Sequence, residues 1–222
     1  MKKLLLLTVK ISLIIQFAST IISSMGFLYK LDAKDSILNE ILIIDLIVQL
    51  IQGLFYIYIY YSLKTMSNNI ITSHRYVDWV ITTPIMLLST ILFMEYESNP
   101  DKKIVAKNVI IDHKDIIIRL GIYNFMMLLF GFLGETDILS KSISTPIGFI
   151  FFGGTFFTLW DNFGYKTKGS RELFYFMFVV WGLYGVAANI PVLEKNISYN
   201  ILDLISKNFY NMYILYRIIL LQ

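Results

Sequence analysis

Seven times along its length this chain runs for about twenty residues with almost no charge, and each run is as long as a helix must be to cross a bilayer. The runs fall at about 4–29, 37–63, 75–95, 115–134, 143–163, 172–190 and 197–221. Composition agrees. Hydrophobic residues fill 56% of the 222 positions and charged residues 16%, against about 25% charged in a soluble domain, so too little polar surface remains to cover a globule. The expectation is an all-α membrane protein, a bundle of seven transmembrane helices in one domain over residues 1–222, with the lipid bilayer as its principal partner. The links are short and polar, with no second domain and no internal repeat. Met1-Lys2-Lys3 before an apolar run imitates a signal peptide. Lys10 interrupts that run, however, and Phe17-Ala18-Ser19-Thr20 offers no clear small-residue cleavage site, so the segment reads as the first helix.

Several classes are set aside at this level. The chain has no cysteine, which excludes disulfides and thiolate metal sites. Its formal charge of +3 is small and its basic residues lie in short loops, so no nucleic-acid partner is expected. Neither a metal site nor enzymatic turnover is expected. Seven crossings put the termini on opposite sides. With the N-terminus outside, eleven Lys and Arg, among them Lys102, Lys103, Lys166 and Arg171, fall on the cytoplasmic side, and six, including Lys64, Lys141 and Lys195, on the outer side. That asymmetry follows the positive-inside tendency. Lys10, well within the first span, lies near enough to its end to reach the interface. Arg75 and Lys207 belong to neither group, because both fall inside spans.

Ionisable residues at membrane depth are functional candidates whose partners must be found. In the seventh span Asp203 and Lys207 are four apart and share a helix face. In the third, Arg75, Asp78 and Thr82 follow spacings of three and four, again on one face. Two cations and two carboxylates cancel in such a cluster, whereas loss of one member strands a buried charge. A structural ion pair locking two helices accounts for the pattern as well as a reactive site does.

The residues around these charges decide between the two. Arg75-Tyr76-x-Asp78-Trp79-x-x-Thr82-Thr83-Pro84 on the third span and Asp203-x-x-x-Lys207 on the seventh resemble the signature of the microbial (type I) rhodopsins. Met127-x-x-x-Gly131-x-x-Gly134 resembles the family's retinal-contacting segment, and Trp181-x-x-Tyr184 its Trp-x-x-Tyr-Pro motif, with Gly185 where the family has proline. The short loops and the second span from Ile37 to Tyr56 look most like rhodopsins of giant viruses, which implies a host-cell membrane. The resemblance implies all-trans retinal buried between the helices, bound covalently to Lys207 as a protonated Schiff base. It makes Asp78 and Asp203 the counter-ions, Asp78 the proton acceptor, and Arg75 a partner on the outer side that responds to the charge on Asp78. Trp79 and Trp181 would sandwich the polyene, with Thr82, Thr83, Met86, Met127, Gly131, Tyr184 and Ser206 completing the pocket. The fifth span aligns poorly, and only its aromatic stretch from Phe149 to Phe157 is a candidate there. A homo-oligomer is expected.

Within the family, a proton donor stands where this chain has Ser89, eleven residues beyond Asp78, or roughly 16 Å along a helix axis. A serine hydroxyl is too weak an acid to replace a carboxylic donor, so Ser89 is either helix filler or a residue that organises water. The second span offers a substitute: Asp45, Gln49, Gln52 and Tyr56 recur at spacings of four, three and four, making a polar stripe. Asp45, in the cytoplasmic half, suits a proton donor. The same stripe suits the wall of a cation pathway, or a hydrogen-bonded seam between helices. Glu40, nearer the surface, reads as solvated. The leading expectation is an outward proton pump, with a light-gated cation channel as the alternative and a photosensor behind both. Asp78 argues against a chloride pump, whose anion site would need a neutral residue there.

Overall fold

The computed structural model describes residues 2–222 and contains no strand among them. Eight helices follow in order: α1 (Lys2–Ser24), α2 (Ile37–Ser62), α3 (Asn68–Ser98), a short α4 (Ala106–Asp112), α5 (Lys114–Glu135), α6 (Lys141–Leu159), α7 (Lys168–Ala187) and α8. A 3₁₀ turn at Met25–Leu28 closes α1, and a π-helical turn at Trp160–Gly164 extends α6. α8 runs through three segments: Val192–Asp203, a π-helical turn Leu204–Phe209, and Tyr210–Ile219. Apart from α4, these form the seven-helix bundle. Five of the seven are long and apolar enough to cross a membrane on that ground alone. The other two, α7 and α8, are more polar, because α7 opens on Lys168, Arg171 and Glu172 and α8 turns a row of amides and charges inward.

The polarity of the bundle is inverted relative to a soluble protein. Ile14, Ile21, Leu50 and Phe157 are exposed, whereas Gln52, Arg75, Lys195 and Asn200 have no exposed surface. Lipid tails suit the first set, and the second must find partners inside. A large apolar core fills the middle of the bundle, and a smaller one of Leu5, Val9, Tyr56, Ile59 and Ile71 closes the end at which α1 begins, here the N end. The opposite end, where α8 finishes, is the C end. α1, α3 and α8 run from the N end to the C end, and α2 runs back.

The helix starts that move furthest from the sequence expectation are those of α3 and α8. α3 starts at Asn68, capped by Ser67, whose hydroxyl accepts from the Ile70 N–H at 3.4 Å; its added turns are held by Thr72, which accepts from the Asn196 amide at 2.6 Å. α8 starts at Val192, directly after Pro191, a residue suited to the entrance of a helix. That earlier start places Lys195 inside the bundle instead of on its outer surface, correcting its assignment to a solvated end.

Candidate functional site

Lys207 sits in the π-helical turn of α8, and its Nζ donates to Asp78 Oδ2 on α3 at 2.7 Å. Asp203, one turn earlier on α8, lies 3.8 Å from the same nitrogen. All three side chains are almost fully buried. The two carboxylates differ in their company. Asp203 accepts from Tyr56 and Tyr184 at 2.8 Å each, from Arg75 at 3.3 Å and from the Trp79 indole at 3.4 Å. Asp78 touches Lys207 alone, and its Oδ1 has no hydrogen-bond partner among the described residues.

Arg75, expected to answer to Asp78, is instead bound to Asp203 and to two asparagines of α8. Its guanidinium donates to Asn200 Oδ1 at 2.6 Å and to Asn196 Oδ1 at 3.1 Å. The reason lies in α8: Asn196, Asn200 and Asp203 recur at spacings of four and three, so one face of that helix meets the planar guanidinium along its length.

A cavity with about 920 Å³ of empty space, counting that at its open side, begins at Lys207. Trp79, Thr83, Met86, Met127, Gly131, Trp181, Tyr184 and Ser206 all line it. Thr82 does not. It is fully buried on the Asp78 face of α3, with its hydroxyl turned back to the Asp78 carbonyl at 2.9 Å. Thr83, one position on, reaches the wall and accepts from Asn124 at 2.8 Å. Gly131 leaves room that a side chain would fill, since a Cβ there would come within 2.9 Å of the Tyr76 ring. From the aromatic stretch of α6, Phe149 and Phe152 reach the cavity, whereas Phe157 faces outward. An amine at one end, two indoles and a mostly apolar wall suit a linear polyene aldehyde.

Toward the C end, Ser89 donates to Asp45 Oδ1 at 2.7 Å, so α2 delivers a carboxylate to the α3 position where the chain has only a serine. Tyr210 of α8 joins at 3.1 Å from Ser89. Asp45, Gln49, Gln52 and Tyr56 are all buried, and the stripe does turn inward.

Two features were missed in the sequence. The first is a matching stripe on α1: Ser12, Gln16, Ser19 and Ser23 recur at the same spacing of four, three and four, and all are buried. It faces α2 and α8, with Thr20 donating to Gln49 at 2.7 Å, Asn208 to Ser19 at 2.6 Å, and Asn200 to Thr8 at 2.8 Å. Along this seam both side-chain amide atoms of Gln16, Gln52 and Asn211 have no partner among the described residues. The second is a buried ion pair at the N end, Lys195 Nζ to Glu135 Oε2 at 2.7 Å, joining α8 to α5. Lys195 could be found from sequence only by starting α8 at Pro191.

A seven-helix membrane bundle with a buried lysine facing two carboxylates defines the class. The chain belongs to the bacteriorhodopsin-like protein family, whose model matches residues 7–221, and is a multi-pass integral membrane protein. Its structure is similar to that of the viral rhodopsin OLPVRII, at 28% identity and a TM-score of 0.85 over 96% of each chain. It also resembles the light-driven proton pump rhodopsin CsR of Coccomyxa subellipsoidea, at 18% identity and a TM-score of 0.73 over 96% of each chain. Xanthorhodopsin, a light-driven ion pump with a dual chromophore, matches at 17% identity and a TM-score of 0.75, over 98% of this chain and 92% of its own. No curated protein matches the sequence.

Proposed function

We propose that this chain holds all-trans retinal on Lys207 and works as a light-driven outward proton pump. The observation that carries the reading is a pair of buried carboxylates on either side of the lysine: Asp78 on Lys207 Nζ, and Asp45 held by Ser89 nearer the C end. Retinal, bound to that nitrogen as a protonated imine, would supply light absorption and photoisomerisation. Asp78 then takes the proton from Nζ, because it is the carboxylate bonded directly to that nitrogen, whereas Asp203 is committed to four other donors. Arg75 holds Asp203 through a direct ion pair. Asp45 returns a proton through Ser89 and water, which gives the cycle its direction. The N-terminus lies outside and the C-terminus in the cytoplasm, supported by the distribution of Lys and Arg. The giant-virus kinship, supported by the viral neighbour, implies a host membrane, and the protein assembles as a homo-oligomer.

One observation favours a second reading, a light-gated cation channel. The seam between α1, α2 and α8 buries amides without protein partners, and such groups at membrane depth are served by water or by a passing ion. Photocurrents under voltage clamp separate the two. A pump current keeps its outward sign at every voltage. A current that reverses with voltage would replace the pump by the channel.

A further inference from the structure

Lys207 is held at Asp78 and Asp45 at Ser89, positions eleven residues apart on α3, or roughly 16 Å along its axis. A proton passes between groups in hydrogen-bond reach or joined by a water, so this gap needs intermediate steps. α3 offers none. Between the two positions Met86 and Leu87 are buried and apolar, while Thr82 and Thr83 turn their hydroxyls back onto carbonyls of their own helix. α8 does offer one. Asn211 stands four residues beyond Lys207 on the same side of the helix, about 6 Å nearer the C end. It directly follows Tyr210, whose hydroxyl meets the Ser89 that holds Asp45. Asn211 has no exposed surface, and neither atom of its amide has a partner among the described residues.

Other unmatched atoms come from the same stretch: Asn208 Oδ1, Gln49 Nε2 and Asp45 Oδ2. Asn208 and Gln49 stand at one height, because their partners Ser19 and Thr20 are neighbours on α1. With the two atoms of Asn211, five buried polar atoms, donors and acceptors both, are left without a protein partner between Lys207 and Asp45. Leaving them dry is costly, and a buried water makes about three hydrogen bonds, so about two waters match them. Asp45 is set up to feed such a cluster. Its Oδ1 accepts from Ser89, so in the protonated carboxyl the hydrogen sits on Oδ2, the oxygen without a protein partner. We infer that Asn211 holds the water that carries the proton from Asp45 Oδ2 to the nitrogen of Lys207, an inference that rests on the proton-pump reading above. Asn211 is a positioning residue: its amide orients the water through one acceptor and two donor hydrogens, and itself neither gains nor loses a proton. Asp45 becomes a carboxylate, Nζ gains one proton, and the water hands on as many as it receives.

A high-resolution crystal structure of the wild-type chain, with or without chromophore, should show water within hydrogen-bond distance of Asn211. A dry amide there would overturn the inference, whatever the variants do. In the pigment, Asn211→Leu keeps the size of the side chain but cannot hold water, and should slow reprotonation after a flash by about tenfold or more. Its colour should stay close to that of the wild type. Asn211→Ser, which keeps a polar group and leaves room for water, should regain most of the rate. In the infrared, the carboxyl stretch of Asp45 should move to higher frequency in Asn211→Leu, because its O–H has lost the water that accepted from it. A wild-type rate in a folded Asn211→Leu pigment, with Asp45→Asn slow, would overturn the relay and leave the donor in place. A wild-type rate in Asp45→Asn is a separate outcome, which removes the donor of the pump reading and the relay with it.

Discussion

Asp78 and Asp203 lie within reach of one amine, yet the chain treats them differently. Asp203 is held by two phenols, an indole and a guanidinium, while Asp78 has the lysine and nothing else. A carboxylate already accepting from four protein donors must give up one of them to take a proton, whereas Asp78 has only the lysine among its protein partners. Asp78→Asn should therefore shift the absorption band to longer wavelength and stop net proton transport, as read by spectroscopy and by light-induced pH changes in vesicles. An unmoved band would make Asp203 the effective counter-ion. Lys207→Ala should remove the visible band altogether. Among the described residues the other buried lysine, Lys195, is bound to Glu135 and does not line the cavity, while Lys141, which does, is exposed and donates to the Ala188 carbonyl. Covalent retinal in a folded Lys207→Ala protein would show that the lysine has been misassigned. The residues of this cluster were legible in the sequence because charge at membrane depth is rare and these fall at helical spacing. The partner of Arg75 was not, since spacing places a residue on a face but does not say which of two carboxylates its long side chain will choose.

Among the elements, α2 was legible and α1 was not, although both carry polar residues at the same spacing. The α2 stripe contains a carboxylate and two glutamines, which stand out in an apolar run. In α1 three of the four positions are serines, whose hydroxyls often turn back onto the helix and so carry little signal. The direct hydrogen bond from Ser89 to Asp45 gives the α2 stripe a definite expectation. Asp45→Asn should slow recovery of the dark state after a flash, with azide restoring the rate, and should leave the colour almost unchanged. If the photocycle stays as it was while conductance or cation selectivity changes, the stripe lines a channel. The π-helical turns at Lys207 and at Trp160–Gly164 left no trace in the sequence, because one extra residue in a turn alters neither composition nor the apolar period enough to be seen.

At the scale of the whole molecule, the inside-out distribution of polarity was legible from composition and run length, and it makes buried pairs the main specific ties between distant helices. Lys195 and Glu135 are such a tie, linking α8 to α5 with no exposed surface on the lysine. Removing one partner of a buried pair strands the other charge, at a cost of about 3–5 kcal/mol, whereas replacing both with apolar residues is often close to neutral. Lys195→Met should thus destabilise the protein by that order, and adding Glu135→Leu should recover most of the loss, as measured by thermal unfolding in detergent. Equal stability of wild type and Lys195→Met would mean that water already reaches the pair.

The wide turn of α8 at Leu204–Phe209 gives the helix one residue of slack at the point where the light-driven event is centred. By passing between wide and regular turns, the backbone around Lys207 has play along the axis of about one residue's rise, about 1.5 Å. α8 is fastened to α1 before the turn, by Asn200 to Thr8, and near the end of the turn itself, by Asn208 to Ser19. On the pump reading proposed above, the slack acts as a decoupler: the segment around Lys207 moves first, while the part of α8 before the turn stays moored at Asn200. Time-resolved infrared spectroscopy reads this directly. Early amide changes confined to a label in that turn are expected, and early changes spread along the whole of α8 would mean that the helix moves as one rod.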